Sequence, residues 1–143
     1  MNYTIVSYVL NIILFCLLLF VIFWCFFRPI PQICQKYSNI DLELNSPCLN
    51  VKTNSPILIS GKINSNFVFE ANFRIHLLDK SGKIAETIPV QTTGDWMIPG
   101  LIPFDVVLPH SLTNQIGALV FENDNPSGLP ENVRQIHVPI LIQ

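Results

Sequence analysis

The sequence has no charged side chain before Arg28, which is unusual for the first segment of a soluble domain. The uncharged run from Thr4 to Phe27 contains about 24 residues, most of them aliphatic or aromatic. A helix of that length rises roughly 36 Å, enough to cross a hydrocarbon core of about 30 Å. Pro29 and Pro31 then interrupt helical hydrogen bonding. Residues 1–28 are therefore predicted to form a membrane anchor, a single transmembrane helix.

The anchor lacks the features of a cleaved or lipidated leader. A secretory signal has a charged first region and small residues before its cleavage site, yet no Ala precedes Ala71. Bulky residues stand directly before both cysteines that a lipid could modify, Cys16 and Cys25. Cleavage and lipidation stay open as alternatives, but the sequence favours a retained single-pass protein of the cell membrane.

Motifs for catalysis are absent as well. The chain contains no nucleophile elbow, phosphate-binding loop, HExxH or CxxC motif, and no Cys/His group with the spacing of a zinc site. His76, His110 and His137 are far apart along the chain, as is typical of surface histidines. We expect a protein that is not an enzyme and that has no metal or cofactor, since a hydrolase would lack its nucleophile and base.

The part of the chain after the anchor has few basic residues. From Tyr37 onward, six Lys and Arg residues stand against all ten Asp and Glu residues. A mildly acidic domain without a basic stripe argues against nucleic acid as a partner, and against docking on an anionic membrane surface.

Cysteine is scarce, with four residues in 143. Cys16 and Cys25 lie in the anchor and are read as small apolar residues. Cys34 and Cys48 flank the start of the domain, where they can form a disulfide if the compartment is oxidising. Two unpaired thiols are an equally good interpretation of the sequence alone.

Short runs of residues typical of strands fill the region after the anchor, most of them alternating between apolar and polar, whereas residues 118–122 form a continuous apolar run typical of a central strand. The alternating runs are typical of half-buried strands, and no helical period of sufficient length interrupts them. We predict an all-β domain over residues 40–143, an immunoglobulin-like β-sandwich of about seven strands, after a connector over residues 29–39. The runs cover residues 40–44, 57–63, 73–77, 84–91, 104–108, 118–122 and 134–142.

Several segments, in their order and spacing, carry a resemblance to a known family. They are Ile57–Gly61, Val68–Phe73, Leu78–Lys83, Gly94–Trp96, Gly117–Glu122, Glu131–Val133 and Ile136–Pro139. Together they resemble the immunoglobulin-like domain of bacterial spore-germination proteins and many other bacterial envelope proteins. The resemblance covers residues 40–142 and implies a non-enzymatic, extracytoplasmic module in a bacterium. The stretch from Met97 to Pro103 departs from the family pattern because it is longer and more apolar.

Two signals disagree about which side of the membrane the domain occupies. Arg28 and Lys36 follow the anchor, and positive flanks tend to stay in the cytoplasm. The family resemblance implies an extracytoplasmic domain. Two charges are a weak signal, so we expect the domain outside the cytoplasm.

Candidate interaction residues precede and follow the strand run at 84–91. Glu70 and Asn72 lie between Phe69 and Phe73, where they form either a polar contact site or a hydrogen-bonded turn. Trp96 begins an apolar insert that ends at Ile102. This insert is either an exposed interaction surface or a cover over an open end of the sandwich.

Asp124, Glu131 and Asn132 lie in a loop over residues 123–132. The loop is rich in turn residues and does not have the spacing of a calcium loop. A partner-binding role is therefore weighed against an ordinary structural loop.

The sequence as a whole predicts a membrane-anchored bacterial envelope protein that presents an immunoglobulin-like module. Its expected partner is another envelope protein or a cell-wall component. The alternative is a glycan-binding or peptidoglycan-binding module of the same fold, in which Trp96 stacks on a sugar ring.

Overall fold

The computed structural model describes residues 3–27, 33–49, 51–53, 56–109 and 115–142, and it contains two compact units, residues 1–31 and 32–143. The first unit contains helix α1 (Tyr3–Phe26). Between Val6 and Phe26 this helix is long and apolar enough to cross a membrane, a property that retained anchors and signal sequences share.

The second unit is mostly β, and its described residues form nine strands in two sheets. One sheet has the strand order β1-β2-β4-β7, and the other has the order β3-β9-β8-β5-β6. The strands are β1 (Tyr37–Ser38), β2 (Leu42–Ser46), β3 (Lys52–Thr53), β4 (Ile57–Asn64), β5 (Asn72–Leu78), β6 (Ile84–Gln91), β7 (Leu101–Leu108), β8 (Gln115–Glu122) and β9 (Gln135–Ile142).

The predicted β domain is confirmed in its coarse form, but nine strands replace the expected seven. Each of the seven predicted runs overlaps one observed strand of five or more residues. The alternation that identified most of these runs is visible in β4, where Ile57, Ile59 and Ile63 are fully buried. The two additional strands, β1 and β3, have two residues each and are too short to show a period.

The segment over residues 33–39 belongs to the β unit rather than to a separate connector. Its strand β1 pairs with β2, and the Leu49 amide donates a hydrogen bond to the Gln35 carbonyl oxygen. A disulfide joins Cys34 to Cys48, the pair that the sequence offered as a candidate. These contacts fix the second half of the predicted connector, residues 29–39, to the domain.

One hydrophobic core lies between the two sheets. Phe104 of β7 belongs to the four-stranded sheet, whereas Phe73 and Phe121 belong to the five-stranded sheet. The Phe73 and Phe104 ring centroids are 5.1 Å apart in an edge-to-face arrangement, and those of Phe104 and Phe121 are 6.0 Å apart. Because aromatic pairs of this kind add to the energy of burial, they hold the two sheets together.

Candidate functional site

Three loops meet at one end of the β unit. Strands β4, β6 and β8 end there, and β5, β7 and β9 begin there, so the connections over residues 65–71, 92–100 and 123–134 share that end. We call these three segments the loop end. All six candidate interaction residues lie in the loop end or, like Asn72, at the first position of the next strand.

Backbone hydrogen bonds join the three segments directly. The Ser65 amide donates to the Gly100 carbonyl oxygen at 2.8 Å. The Thr92 amide donates to the Ala71 carbonyl oxygen at 2.8 Å, and the Asp124 amide donates to the Phe67 carbonyl oxygen at 3.0 Å. The first segment therefore contacts both of the others, and the loop end is held as one surface.

A two-residue turn in the first segment contains Glu70. Phe69 and Asn72 exchange backbone hydrogen bonds across it, at 2.9 and 3.1 Å. Glu70 and Ala71 both have a positive φ, 49° and 63°, in the left-handed region that side chains other than glycine rarely adopt. The Asn72 side-chain amide donates to the Glu70 carbonyl oxygen at 2.7 Å. Asn72 thus stabilises the turn, as its structural interpretation predicted, and the Glu70 side chain is exposed.

The apolar insert divides between the core and the surface. Trp96 is half-buried against the core, and its ring centroid lies 6.0 Å from that of Phe69. Met97 and Ile98, in contrast, are 73% and 61% exposed. The insert therefore combines the two predicted alternatives, because Trp96 covers this end of the core while its neighbours face outward.

Asn123 organises the third segment, and sequence reasoning missed it. Its buried side chain accepts a hydrogen bond from the Arg134 amide at 2.6 Å and donates to the Asn132 carbonyl oxygen at 3.1 Å. The Asn132 side-chain amide donates to the Ser127 hydroxyl at 2.9 Å. In the sequence Asn123 is one of several polar residues of this segment. Only its position at the end of β8 distinguishes it from the other asparagines of the loop.

A polar depression of about 320 Å³ opens beside this segment. Asn66, Asp124, Glu131 and Arg134 contribute to its lining. The Asp124 carboxylate lies 3.5 Å from the Arg74 guanidinium, whereas Glu131 is exposed. Within the described parts of the chain, no three His, Cys, Asp or Glu side chains converge as a metal site would require.

The outer face of the five-stranded sheet carries a second polar cluster that sequence reasoning missed. His76 is only 8% exposed, which corrects its prediction as a surface residue. Its position opposite Thr87 and beside Glu122 explains the burial, because these side chains cover it. His137 is exposed as expected, and His110 lies outside the described residues.

A turn at the other end of the β unit contains the one described carboxyl group whose pKa is clearly displaced. The Ser81 hydroxyl donates to the Asp79 carboxylate at 2.6 Å, and the Ser81 and Lys83 amides donate at 2.8 and 3.1 Å. These hydrogen bonds, led by that of the Ser81 hydroxyl, hold the pKa of Asp79 below its ordinary value.

No family model, curated protein or solved structure matches this chain. The geometry of the loop end is therefore the basis on which a function is inferred.

Proposed function

We propose that this protein is a membrane-anchored, non-catalytic bacterial envelope protein, and that its extracytoplasmic immunoglobulin-like domain binds another protein or a wall component through the loop end. The observation that carries the proposal is the direct hydrogen bonding of three loops into one surface. Loops that a rigid β framework positions in this way are common binding sites.

The strand order supports the immunoglobulin-like assignment. The order β2-β4-β7 corresponds to strands A, B and E of that fold, and β9-β8-β5-β6 corresponds to G, F, C and C′. In this correspondence the loops over residues 65–71 and 123–134 are the B–C and F–G loops. Those two loops contribute to the binding surface of immunoglobulin variable domains.

The disulfide between Cys34 and Cys48 supports a location outside the cytoplasm. Disulfides persist in oxidising compartments and are rare where glutathione and thioredoxin keep thiols reduced. Arg28 and Lys36 favour the opposite orientation. We give the disulfide more weight because two flanking charges bias insertion only weakly.

Protease shaving of intact cells tests the proposed topology. The full chain carries one epitope at its N-terminus and a second at its C-terminus, and any outer membrane is selectively permeabilised. We expect loss of the C-terminal epitope and survival of a short fragment with the N-terminal epitope. A C-terminal epitope that is cut only after complete lysis contradicts the proposal. Absence of the N-terminal epitope before protease treatment indicates a cleaved signal instead of an anchor.

The polar depression favours peptidoglycan as a second candidate ligand. Amide and carboxylate groups that line a shallow cavity can exchange hydrogen bonds with sugar hydroxyls, and those of Asn66 and Glu131 are exposed there. Sedimentation with purified peptidoglycan tests this function. Wild-type protein should sediment with the peptidoglycan, and the double variant with Asn66→Ala and Glu131→Gln should stay in solution. Equal sedimentation of both proteins, or of neither, contradicts glycan binding at this cavity.

A further inference from the structure

Met97 and Ile98 form an apolar tip on the loop end, and the surrounding structure fixes the backbone of the tip. The Asp95 carboxylate accepts a hydrogen bond from the Met97 amide at 3.0 Å. Just beyond the tip, Gly100 exchanges hydrogen bonds with the backbone and the hydroxyl of Ser65. Two adjacent large apolar side chains held outward in this way are typical of an interaction surface.

A depression of about 270 Å³ lies beside the tip. Ile98, Pro99, Ile102 and Pro103 contribute apolar walls, and Asp95 contributes a carboxylate. An apolar side chain of a partner can occupy such a depression, and a neighbouring cation can pair with the carboxylate. Anchors of this kind contribute most of the binding energy in many protein interfaces.

Charge is distributed unequally between the two ends of the β unit. Over residues 65–71, 92–100 and 123–134 the chain has four acidic residues, Glu70, Asp95, Asp124 and Glu131, against one basic residue, Arg134. The turn at the other end carries two basic residues, Lys80 and Lys83, against one acidic residue, Asp79. The negative charge at the loop end attracts a basic partner and disfavours approach to anionic lipid headgroups.

From these observations we infer that the apolar tip docks on a basic surface of a partner protein. An apolar side chain of the partner, next to one of its Lys or Arg residues, enters the depression. The inference rests on the proposed function, because it specifies the chemistry of the partner at the same loop end. A basic protein, and not an anionic lipid surface, is the inferred occupant because its charge is opposite to that of the loop end.

Site-specific photo-crosslinking in living cells tests this docking. A photoreactive phenylalanine analogue replaces Met97 in the full chain. In a matched variant it replaces Val107, which is 55% exposed on β7 and lies outside the loop end. We expect a protein adduct at position 97 that is at least about fivefold more abundant than at position 107, with a net positive cross-linked segment of the partner.

The carboxylates provide the second arm of the test. A double variant with Glu70→Gln and Glu131→Gln should lower the yield of the protein adduct at position 97 by about threefold or more. Both side chains are exposed and supply long-range attraction for a basic partner. The matched control is Asp105→Asn, which neutralises an exposed carboxylate in the middle of β7, and it should leave the yield unchanged. An unchanged yield in the double variant overturns the charge argument.

The remaining outcomes separate this inference from the proposed function. Protein adducts at position 107 but not at position 97 overturn the inference and leave a binding role in place. Absence of protein adducts at both positions contradicts the inference and the protein-binding function together. Adducts with lipid alone, or co-sedimentation of the nanodisc-held full chain with phosphatidylglycerol vesicles, overturn the choice of a basic protein as the occupant.

Discussion

The Nε2 atom of His76 lies 3.5 Å from Oε2 of Glu122, across neighbouring strands on the outer face of the five-stranded sheet. This is ion-pair distance, but Nε2 lacks the geometry of a hydrogen bond. The Nδ1 atom of the same ring lies 2.7 Å from the Thr87 hydroxyl. The buried imidazole therefore depends on Thr87 for its one hydrogen bond within the described structure.

Thr87→Val should destabilise the β unit by about 1–2 kcal/mol, because it leaves the buried Nδ1 atom without its partner. Thr87→Ser keeps the hydroxyl and should unfold close to the wild-type midpoint. Urea unfolding of the full chain in detergent, followed by circular dichroism, measures both variants. Equal midpoints for the valine and serine variants would show that the hydrogen bond does not contribute.

Ala71→Gly should stabilise the β unit by about 0.5–1 kcal/mol, since glycine adopts the positive φ of 63° without a steric cost. Ala85→Gly is the matched control, because Ala85 is an exposed alanine within β6. There the same exchange should destabilise by about 0.5–1 kcal/mol. Thermal unfolding compares the two, and shifts of the same sign would contradict the turn conformation.

Gly61→Ala should cost at least about 2 kcal/mol, because a Cβ atom at this position overlaps the backbone carbonyl oxygen of Glu43. Residues 43 and 61 lie on neighbouring strands, and backbone cannot move aside as a flexible side chain can. Gly82→Ala is the control, with open space around its Cβ position and a cost of only about 1 kcal/mol. Urea midpoints in the opposite order would contradict the pairing of β2 with β4.

Replacing both Cys34 and Cys48 with serine should lower stability by about 3 kcal/mol, the chain-entropy value for a loop of this size. The two residues are 14 positions apart, and the crosslink restricts the unfolded chain. A reductant should lower the melting temperature of the wild type to that of the double variant. Cys16→Ser with Cys25→Ser, which changes the two free cysteines, should leave the response to reductant intact.

Acid should weaken the β unit partly through Asp79. Its folded pKa lies below the unfolded value, so its contribution is complete above the unfolded pKa of about 3.9 and is lost as pH falls through the lower folded value. Ser81→Ala removes the strongest cause and should raise the pKa of Asp79 toward its ordinary value. Carboxyl NMR titration measures it, and an unchanged pKa would contradict the role of the Ser81 hydroxyl.

Most of the seven longer strands could be predicted because burial on one face leaves a period of two in the sequence, and the central strand β8 could be predicted from its continuous apolar run. The short strands β1 and β3 could not, because two residues show no period and their pairing depends on distant partners. The attachment of residues 33–39 to the β unit depends in the same way on distant partners. The sequence offered the bond from Cys34 to Cys48 as one of two alternatives, but nothing in residues 33–39 reveals the hydrogen bond from Leu49 to Gln35.

The candidate site could be predicted residue by residue but not as a surface. Turn-forming side chains identified Asn72 and Asn132, and an isolated Trp in an apolar insert identified Trp96. Their common location follows from strand order, which local patterns do not specify. His76 was misassigned because it alternates like an outward residue, whereas the side chains of Thr87 and Glu122 cover it in the folded sheet.

The position at which the chain enters the β unit has a mechanical consequence. Strand β2 begins at the loop end, and the segment over residues 33–36 lies toward the opposite end, beside Cys48 and Leu49. A pull between the loop end and that segment therefore acts along the strands. The crosslink divides the load between β1 and β2 in one sheet and β3 in the other. Rupture then requires neighbouring strands to slide past each other. The domain should therefore resist tension in a shear geometry, in which many backbone hydrogen bonds break together, and not by sequential separation of strand pairs.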